Sequence, residues 1–331
     1  MVKIAINGFG RIGRAVFKIC LQKGIEIAAV NDLTDTKTLA NLLKHDSNYG
    51  EYDASVSFDD SHLLVNGKAY RVFSEPDPSK LPWGELSVDI VLECTGRFRD
   101  LKTASTHLKA GAKRVILSAP GKGEGISDFV ISVNEPSSSD LVLSNASCTT
   151  NCIAPVIQVL NDSFGIRKAF MTTVHAYTGD QNLLDGPHKD LRRARNAATN
   201  IVPTSTGAAK TTTNVIPSLQ GKFDGLAIRV PVPVVSLSDI TALLSRKVTV
   251  DEVNSAFSKA VGNELYKNVL GVTNQELVSS DFIKNSHSCI VDLPLTKVVD
   301  GDLIKVIAWY DNEWGYSCRL VEQAIEVSKK L

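Results

Sequence analysis

The sequence predicts an α/β protein in two parts: a mostly parallel sheet with helices on both faces, then a second, α+β domain. Three observations carry this. Strand-like apolar runs alternate with amphipathic helical stretches as far as about position 144. A glycine-rich turn, Gly8-Phe9-Gly10-Arg11-Ile12-Gly13, lies at the first strand-to-helix junction. After Cys148 the rhythm changes to long strand-like segments separated by irregular stretches.

The elements follow in order. Residues 2–6 form an apolar strand, 11–21 a helix, 25–30 a second strand and 36–43 a second helix. Residues 63–65 and 68–73 flank Asn66-Gly67, the residue pair that a two-residue hairpin turn favours. Residues 88–93 and 114–117 read as strands around a helix at 101–109, and 129–133 and 141–143 as further strands. A helix runs from 148 to about 164, followed by a long strand at 167–177. Residues 179–203, rich in Gly, Pro and Arg, have no periodicity and are too long for an ordinary connection, which points to a functional or interface role. Strands at 225–232, 235–248, 288–293 and 304–310 imply a mixed or antiparallel sheet, and an amphipathic helix closes the chain at 315–329. The expected division is a dinucleotide-binding domain at 1–147 and a catalytic domain at 148–314, with residues 315–331 packing back on the first.

Composition narrows the function. The chain has 331 residues, 36 basic and 36 acidic, so no global field attracts nucleic acid or an anionic membrane. No apolar run reaches the roughly 18 residues of a membrane span. Cys20, Cys94, Cys148, Cys152, Cys289 and Cys318 are scattered, without zinc-ligand spacing, so no metal site is expected. The sequence opens on a strand rather than a leader peptide, and the expected setting is a reducing cytoplasm with free thiols.

The glycine motif follows a strand and opens a helix, the context that a Rossmann-type dinucleotide site requires. Gly8, Gly10 and Gly13 permit the tight turn and the approach of a pyrophosphate to the helix N-terminus. Asp32, at the end of the second strand, can accept hydrogen bonds from ribose hydroxyls and would repel a 2′-phosphate, which favours NAD over NADP.

The second motif is Ser147-Cys148-Thr149-Thr150-Asn151. Cys148 falls where a strand hands over to a helix, and free N–H groups and the helix dipole there favour a thiolate. His175 lies 27 residues on, in Thr173-Val174-His175-Ala176-Tyr177-Thr178. A strand running back along the helix would bring it beside Cys148, to hold the thiolate as an ion pair and relay protons. Cys152, one turn further along the helix, reads as core.

These motifs, with Thr204-Ser205-Thr206-Gly207-Ala208-Ala209-Lys210 and Trp309-Tyr310-Asp311-Asn312-Glu313-Trp314-Gly315, make the chain resemble the phosphorylating glyceraldehyde-3-phosphate dehydrogenases over essentially its whole length. The resemblance implies NAD as cofactor, D-glyceraldehyde 3-phosphate and inorganic phosphate as substrates, a Cys148 thioester and a homotetramer. It implies that Thr178 and Arg229 hold the substrate's phosphate, and that Ser147, Thr149, Arg193, Thr206 and Gly207 line the inorganic phosphate site. Asn312 would hold the nicotinamide carboxamide, with Arg11, Ile12 and Ser118 as further cofactor contacts. Asp185-Gly186-Pro187 resembles the NAD-dependent form of the cofactor-discriminating loop. Two places depart from the family pattern: His45-Asp46-Ser47-Asn48-Tyr49-Gly50, and Pro76 where a basic residue is commoner. Arg192-Arg193-Ala194-Arg195 resembles a nucleic-acid patch, but overall neutrality and the adjacent Asp190 argue against that as its primary role, and Arg192 and Arg195 read as structural or interface charges. An erythrose-4-phosphate dehydrogenase is the nearest alternative within the resemblance. An RNA- or actin-binding protein is the alternative from another class.

Overall fold

A computed structural model describes residues 2–331, which form two compact units. The first takes in the chain to Phe129, Glu135–Ala146 and Ser317–Leu331. The second comprises Val130–Asn134 and Ser147–Tyr316.

The first unit is a Rossmann-type domain around a nine-stranded sheet. Lys3–Asn7 lies between Glu26–Asn31 and Ile90–Glu93 and is parallel to both. Beyond Ile90–Glu93 come Arg114–Leu117, Val142–Ser144 and Ser127–Asp128, again parallel. On the other side Lys68–Phe73 pairs in parallel with Glu26–Asn31, and the antiparallel strands His62–Val65 and Val56–Asp59 finish the edge. The central strands are buried along their length (Ile4, Ala5, Ile6, Ile90, Val91 and Leu92) because a parallel sheet is covered on both faces. Asn66 (φ 49°) and Gly67 (φ 79°) make the left-handed hairpin turn.

Two sequence expectations are corrected here. The helix expected at 101–109 is two short helices, Leu101–Ala104 and Thr106–Lys109. Thr106 Oγ1 donates to the Thr103 carbonyl, a side-chain bond that competes with the helical ladder at the break. The strand expected at 129–133 is a turn, in which Asn134 Oδ1 accepts the Val130 N–H at 2.8 Å and Val133 N bonds back to Val130 O.

The second unit holds an eight-stranded mixed sheet. Its centre is Ile166–Ala176, parallel to Phe223–Val230 on one side and antiparallel to Ser236–Leu244 on the other. Leu303–Tyr310 and then Cys289–Asp292 extend it. Strict alternation of burial along Ser236–Leu244 marks one core face. The helix Cys148–Phe164 ends at Gly165 (φ 68°), which turns the chain directly into Ile166–Ala176. Residues 177–201 carry no helix or strand, and the loop runs into a short strand, Val202–Ser205.

Candidate active site

Cys148 owes its position to a local device. Ala146 takes a left-handed φ of 53°, and Ser147 then caps the helix, its Oγ accepting the Thr150 N–H at 3.0 Å. Cys148 is the first helical residue and half-buried. On the strand that returns, His175 is buried and its Nε2 stands 3.4 Å from Cys148 Sγ.

The sheet register supplies the next group. His175 and Arg229 are direct partners on adjacent parallel strands. His175 Nδ1 lies 2.7 Å from the Ala176 carbonyl, which can only accept; a proton on Nδ1 leaves the lone pair of Nε2 facing the sulfur. Arg229 Nη1 donates to the same carbonyl at 3.0 Å and lies 2.9 Å from Nδ1. The guanidinium Nε is buried and has no hydrogen-bond partner among the described residues.

Electrostatics couples the three groups. Burial pushes the Cys148 thiol up, and the Arg229 charge and the hydroxyl and N–H of Thr149 work against that rise. Burial and then the Arg229 charge push His175 down to about 3. Burial therefore favours the neutral thiol and the neutral imidazole at this site.

Residues alternate in facing along a strand, so Thr173 shares a face with His175. Thr173 Oγ1 donates to Leu237 O at 3.2 Å and takes the Tyr310 hydroxyl at 2.8 Å, and Tyr310 in turn takes Thr149 Oγ1 at 3.0 Å. The Tyr310 ring meets His175 edge-on, with centroids 6.0 Å apart. Sequence reasoning did not find this role for Tyr310, although its motif contains the residue. It also missed Ser236, whose Oγ accepts the Ala176 N–H at 3.0 Å and donates to Asn312 Oδ1 at 3.1 Å.

The candidate anion groups are less free than their chemistry suggests. Ser147 Oγ is the helix cap, and Thr149 Oγ1 is held by Tyr310. Arg193 is gripped by Asp180 and Asp190, donates Nε to Thr204 Oγ1 at 3.0 Å, and donates Nη2 to Ser205 O at 3.1 Å. Thr206 Oγ1 accepts the Ala208 N–H at 3.2 Å. Gly207 caps the helix Ala208–Val215 without a side chain and faces open space. Thr178 accepts the Gln181 N–H through its carbonyl. Arg195 pairs with Asp185 at 2.8 Å, and Cys152 is fully buried.

The first unit has its own cleft, of about 340 Å³, lined among others by Gly8, Gly10, Asp32, Pro76 and Thr95. Gly8 (φ 94°) and Gly13 must be glycine: a Cβ on Gly13 would meet Gly8 O at 2.1 Å. A Cβ on Gly10 would meet nothing, so the backbone there lies open to the cleft. This cradle fits a dinucleotide pyrophosphate, held on the N-terminus of the helix Arg11–Gln22. Asp32 Oδ2 accepts the Phe9 N–H at 2.7 Å and Oδ1 that of Thr34 at 3.0 Å, so the carboxylate also braces the turn. Arg11 is committed to Asp46 at 2.8 Å and lies over the Tyr49 ring, both residues of the segment that departs from the family pattern. Ile12 stands half-buried in the first helical turn, and Ser118 N bonds to Glu93 O.

Comparison with known proteins agrees over both units. The family model described as glyceraldehyde 3-phosphate dehydrogenase, NAD binding domain, matches residues 2–101, and that described as the C-terminal domain matches residues 147–312. Glyceraldehyde-3-phosphate dehydrogenase of Streptomyces coelicolor is 52% identical, covering 100% of this chain and 99% of the relative. Glyceraldehyde-3-phosphate dehydrogenase 1 of Bacillus subtilis and the enzyme of Geobacillus stearothermophilus are each 53% identical, covering 99% of both chains. With its glycine cradle and its Cys148–His175 pair, the chain belongs to the glyceraldehyde-3-phosphate dehydrogenase family.

Proposed function

We propose that this protein is an NAD-dependent glyceraldehyde-3-phosphate dehydrogenase of glycolysis, oxidising and phosphorylating D-glyceraldehyde 3-phosphate to 1,3-bisphosphoglycerate. The observation that carries the chemistry is the 3.4 Å approach of Cys148 Sγ to His175 Nε2, with Arg229 against the far side of the ring. The names of the relatives favour this substrate over erythrose 4-phosphate.

Cys148 sulfur attacks the aldehyde carbon as its proton passes by way of His175 Nε2 to the carbonyl oxygen, giving a hemithioacetal. His175 Nε2 receives the hydroxyl proton as that carbon is oxidised to a thioester. NAD supplies the hydride acceptor when bound to the glycine cradle. The thioester retains the oxidation energy, and an oxygen of inorganic phosphate then attacks its carbon. The carbon–sulfur bond breaks, and Cys148 leaves as thiolate. Arg229 and Thr178 hold the substrate's own phosphate, the fork of a guanidinium being suited to that role. Ser147, Thr149, Thr206, Gly207 and Arg193 receive the attacking phosphate. For Arg193 this requires a phosphate to compete with Asp180 and Asp190. Asn312 holds the carboxamide, its oxygen already fixed by Ser236. The glycine cradle and Asp32 form the cofactor domain, and Cys148 and His175 the catalytic one.

The reading extends to a homotetramer in the cytoplasm. Leu183, Leu184, Leu191 and Ile201, in the irregular segment, are each at least 70% exposed, which supports their packing against another subunit. Six free thiols support a reducing compartment. No helix among the described residues is long and apolar enough to cross a membrane.

The test is NAD reduction with D-glyceraldehyde 3-phosphate, with and without inorganic phosphate. Sustained turnover should require phosphate. Equal turnover without it, or a preference for erythrose 4-phosphate, would overturn the assignment.

A further inference from the structure

Beneath the glycine turn lies a buried polar chain that the reaction steps do not use. Its polarity can be read from one end to the other. The backbone of Glu75 fixes Asn31, its N–H donating to Asn31 Oδ1 at 2.9 Å and its carbonyl accepting from Nδ2 at 3.0 Å. Asn31 Nδ2 therefore donates to Asn7 Oδ1, at 2.7 Å, and Asn7 must turn its Nδ2 to Glu93 Oε2, at 2.5 Å. From the other end, the indole of Trp83 can only donate, and it does so to His107 Nδ1 at 3.0 Å. His107 is therefore a neutral ring with its proton on Nε2, 3.2 Å from the same Glu93 oxygen. The second oxygen, Oε1, accepts the Thr95 N–H at 2.8 Å and the Thr95 hydroxyl. Glu93 and His107 are 2% and 0% exposed. Every donor on this carboxylate is neutral, an arrangement that costs stability unless all its bonds are made.

The two oxygens of Glu93 thus hold two segments that line the same cleft, Asn7-Gly8 and Thr95. The fit between them is tight: a Cβ on Gly8 would come within 2.7 Å of Thr95 N. We propose that Glu93 is a positioning residue for the cofactor, its carboxylate setting the Asn7-Gly8 turn and Thr95 at the spacing that NAD requires. His107 and Trp83 serve to keep a hydrogen-bond donor pointed at it. The inference rests on NAD being the ligand of this cleft.

The polarity argument gives a swap test. In Glu93→Gln, the amide NH2 faces two donors, Asn7 Nδ2 and His107 Nε2–H. In Asn7→Asp, a second carboxylate faces Glu93. In the double variant Asn7→Asp/Glu93→Gln, the glutamine carbonyl still takes the Thr95 donors, and its NH2 and His107 both donate to Asp at position 7. NAD affinity is measured by calorimetry on the full-length proteins, with thermal melting alongside. Each single variant should bind NAD about tenfold to a hundredfold more weakly, and the double variant should return to within about threefold of the parent. Single variants that bind like the parent would overturn the role of Glu93, as would a folded double variant no tighter than the singles. A parent that binds no NAD would instead overturn the cofactor reading. Should the variants fail to fold, nitrogen-15 spectra of the parent at pH 7 decide. A neutral His107 with its proton on Nε2 supports the proposal, and any other protonation state overturns it.

Discussion

Arg229 and His175 are register partners on neighbouring parallel strands, and Arg229 Nη1 donates to the Ala176 carbonyl and lies 2.9 Å from the imidazole Nδ1. A guanidinium proposed to hold a substrate anion therefore also stands against the imidazole of His175.

That relationship alters what Arg229→Ala should do. Loss of an anion-gripping guanidinium should raise KM for glyceraldehyde 3-phosphate about tenfold to a hundredfold. Unphosphorylated glyceraldehyde, which never used the grip, should also turn over more slowly, because the His175 ring loses its neighbour. Arg229→Lys should keep the charge but not the fork, and should rescue neither fully. Saturation curves for both aldehydes decide; unchanged kcat on the plain aldehyde would separate the two roles.

His175→Asn should slow acylation by roughly 10²–10⁴-fold, the usual contribution of a general base. It should also move iodoacetamide inactivation to higher pH, because the thiolate loses the imidazolium that forms with it. The same variant tests a linkage. The His175 pKa is depressed in the fold to about 3, so the unfolded chain binds a proton there that the native state refuses. Its contribution to stability is present above the unfolded value near 6.5 and is lost as pH falls towards 3. Denaturant midpoints of the parent should fall more steeply across that window than those of His175→Asn; parallel curves would refute the linkage.

Two glycines in the cradle should respond oppositely. Gly13→Ala drives a methyl into Gly8 O and should lower stability by about 1–3 kcal/mol, the usual cost of overpacking. Gly10→Ala meets no atom, and its backbone (φ −69°, ψ −159°) suits alanine. It should melt like the parent yet bind NAD more weakly, as the methyl stands where the pyrophosphate approaches. Calorimetric binding and melting curves on both variants check this.

Asp32→Ala should weaken NAD roughly tenfold to a hundredfold and improve NADP binding by removing a like charge. Because Asp32 also accepts the Phe9 and Thr34 N–H groups, melting temperature should fall as well. Dissociation constants for both cofactors, measured beside a melt, separate the two effects. A parent that already uses NADP freely would contradict this role.

The elements that were legible in the sequence are those whose signals are local. Asn66-Gly67 announces its hairpin, and Gly8–Gly13 its strand-to-helix turn. The helix Val250–Val261 carries a local signal as well, the capping box of Thr249 and Glu252, although no element is assigned there from the sequence. The break at Ser105 and the turn at 130–134 each involve a side-chain hydrogen bond, which no periodicity reveals. The site divides in the same way. Cys148 and its cap are neighbours in the chain. Tyr310 reaches Thr149 across 161 residues, and the joining of His175 to Arg229 depends on strand order and register. Those are properties of the folded sheet rather than of any segment.

Ser236 has a consequence for how the catalytic strand moves. The last amide of a strand is ordinarily among the first to exchange with solvent, because the ladder frays from its ends. The Ala176 N–H is instead bonded to the buried hydroxyl of Ser236, which is itself anchored to Asn312. Opening of this strand end therefore breaks a hydrogen bond to a hydroxyl that is itself tied to the Asn312 segment. Hydrogen-exchange protection of the Ala176 amide therefore reports how firmly the His175 strand end is tied to the Asn312 segment.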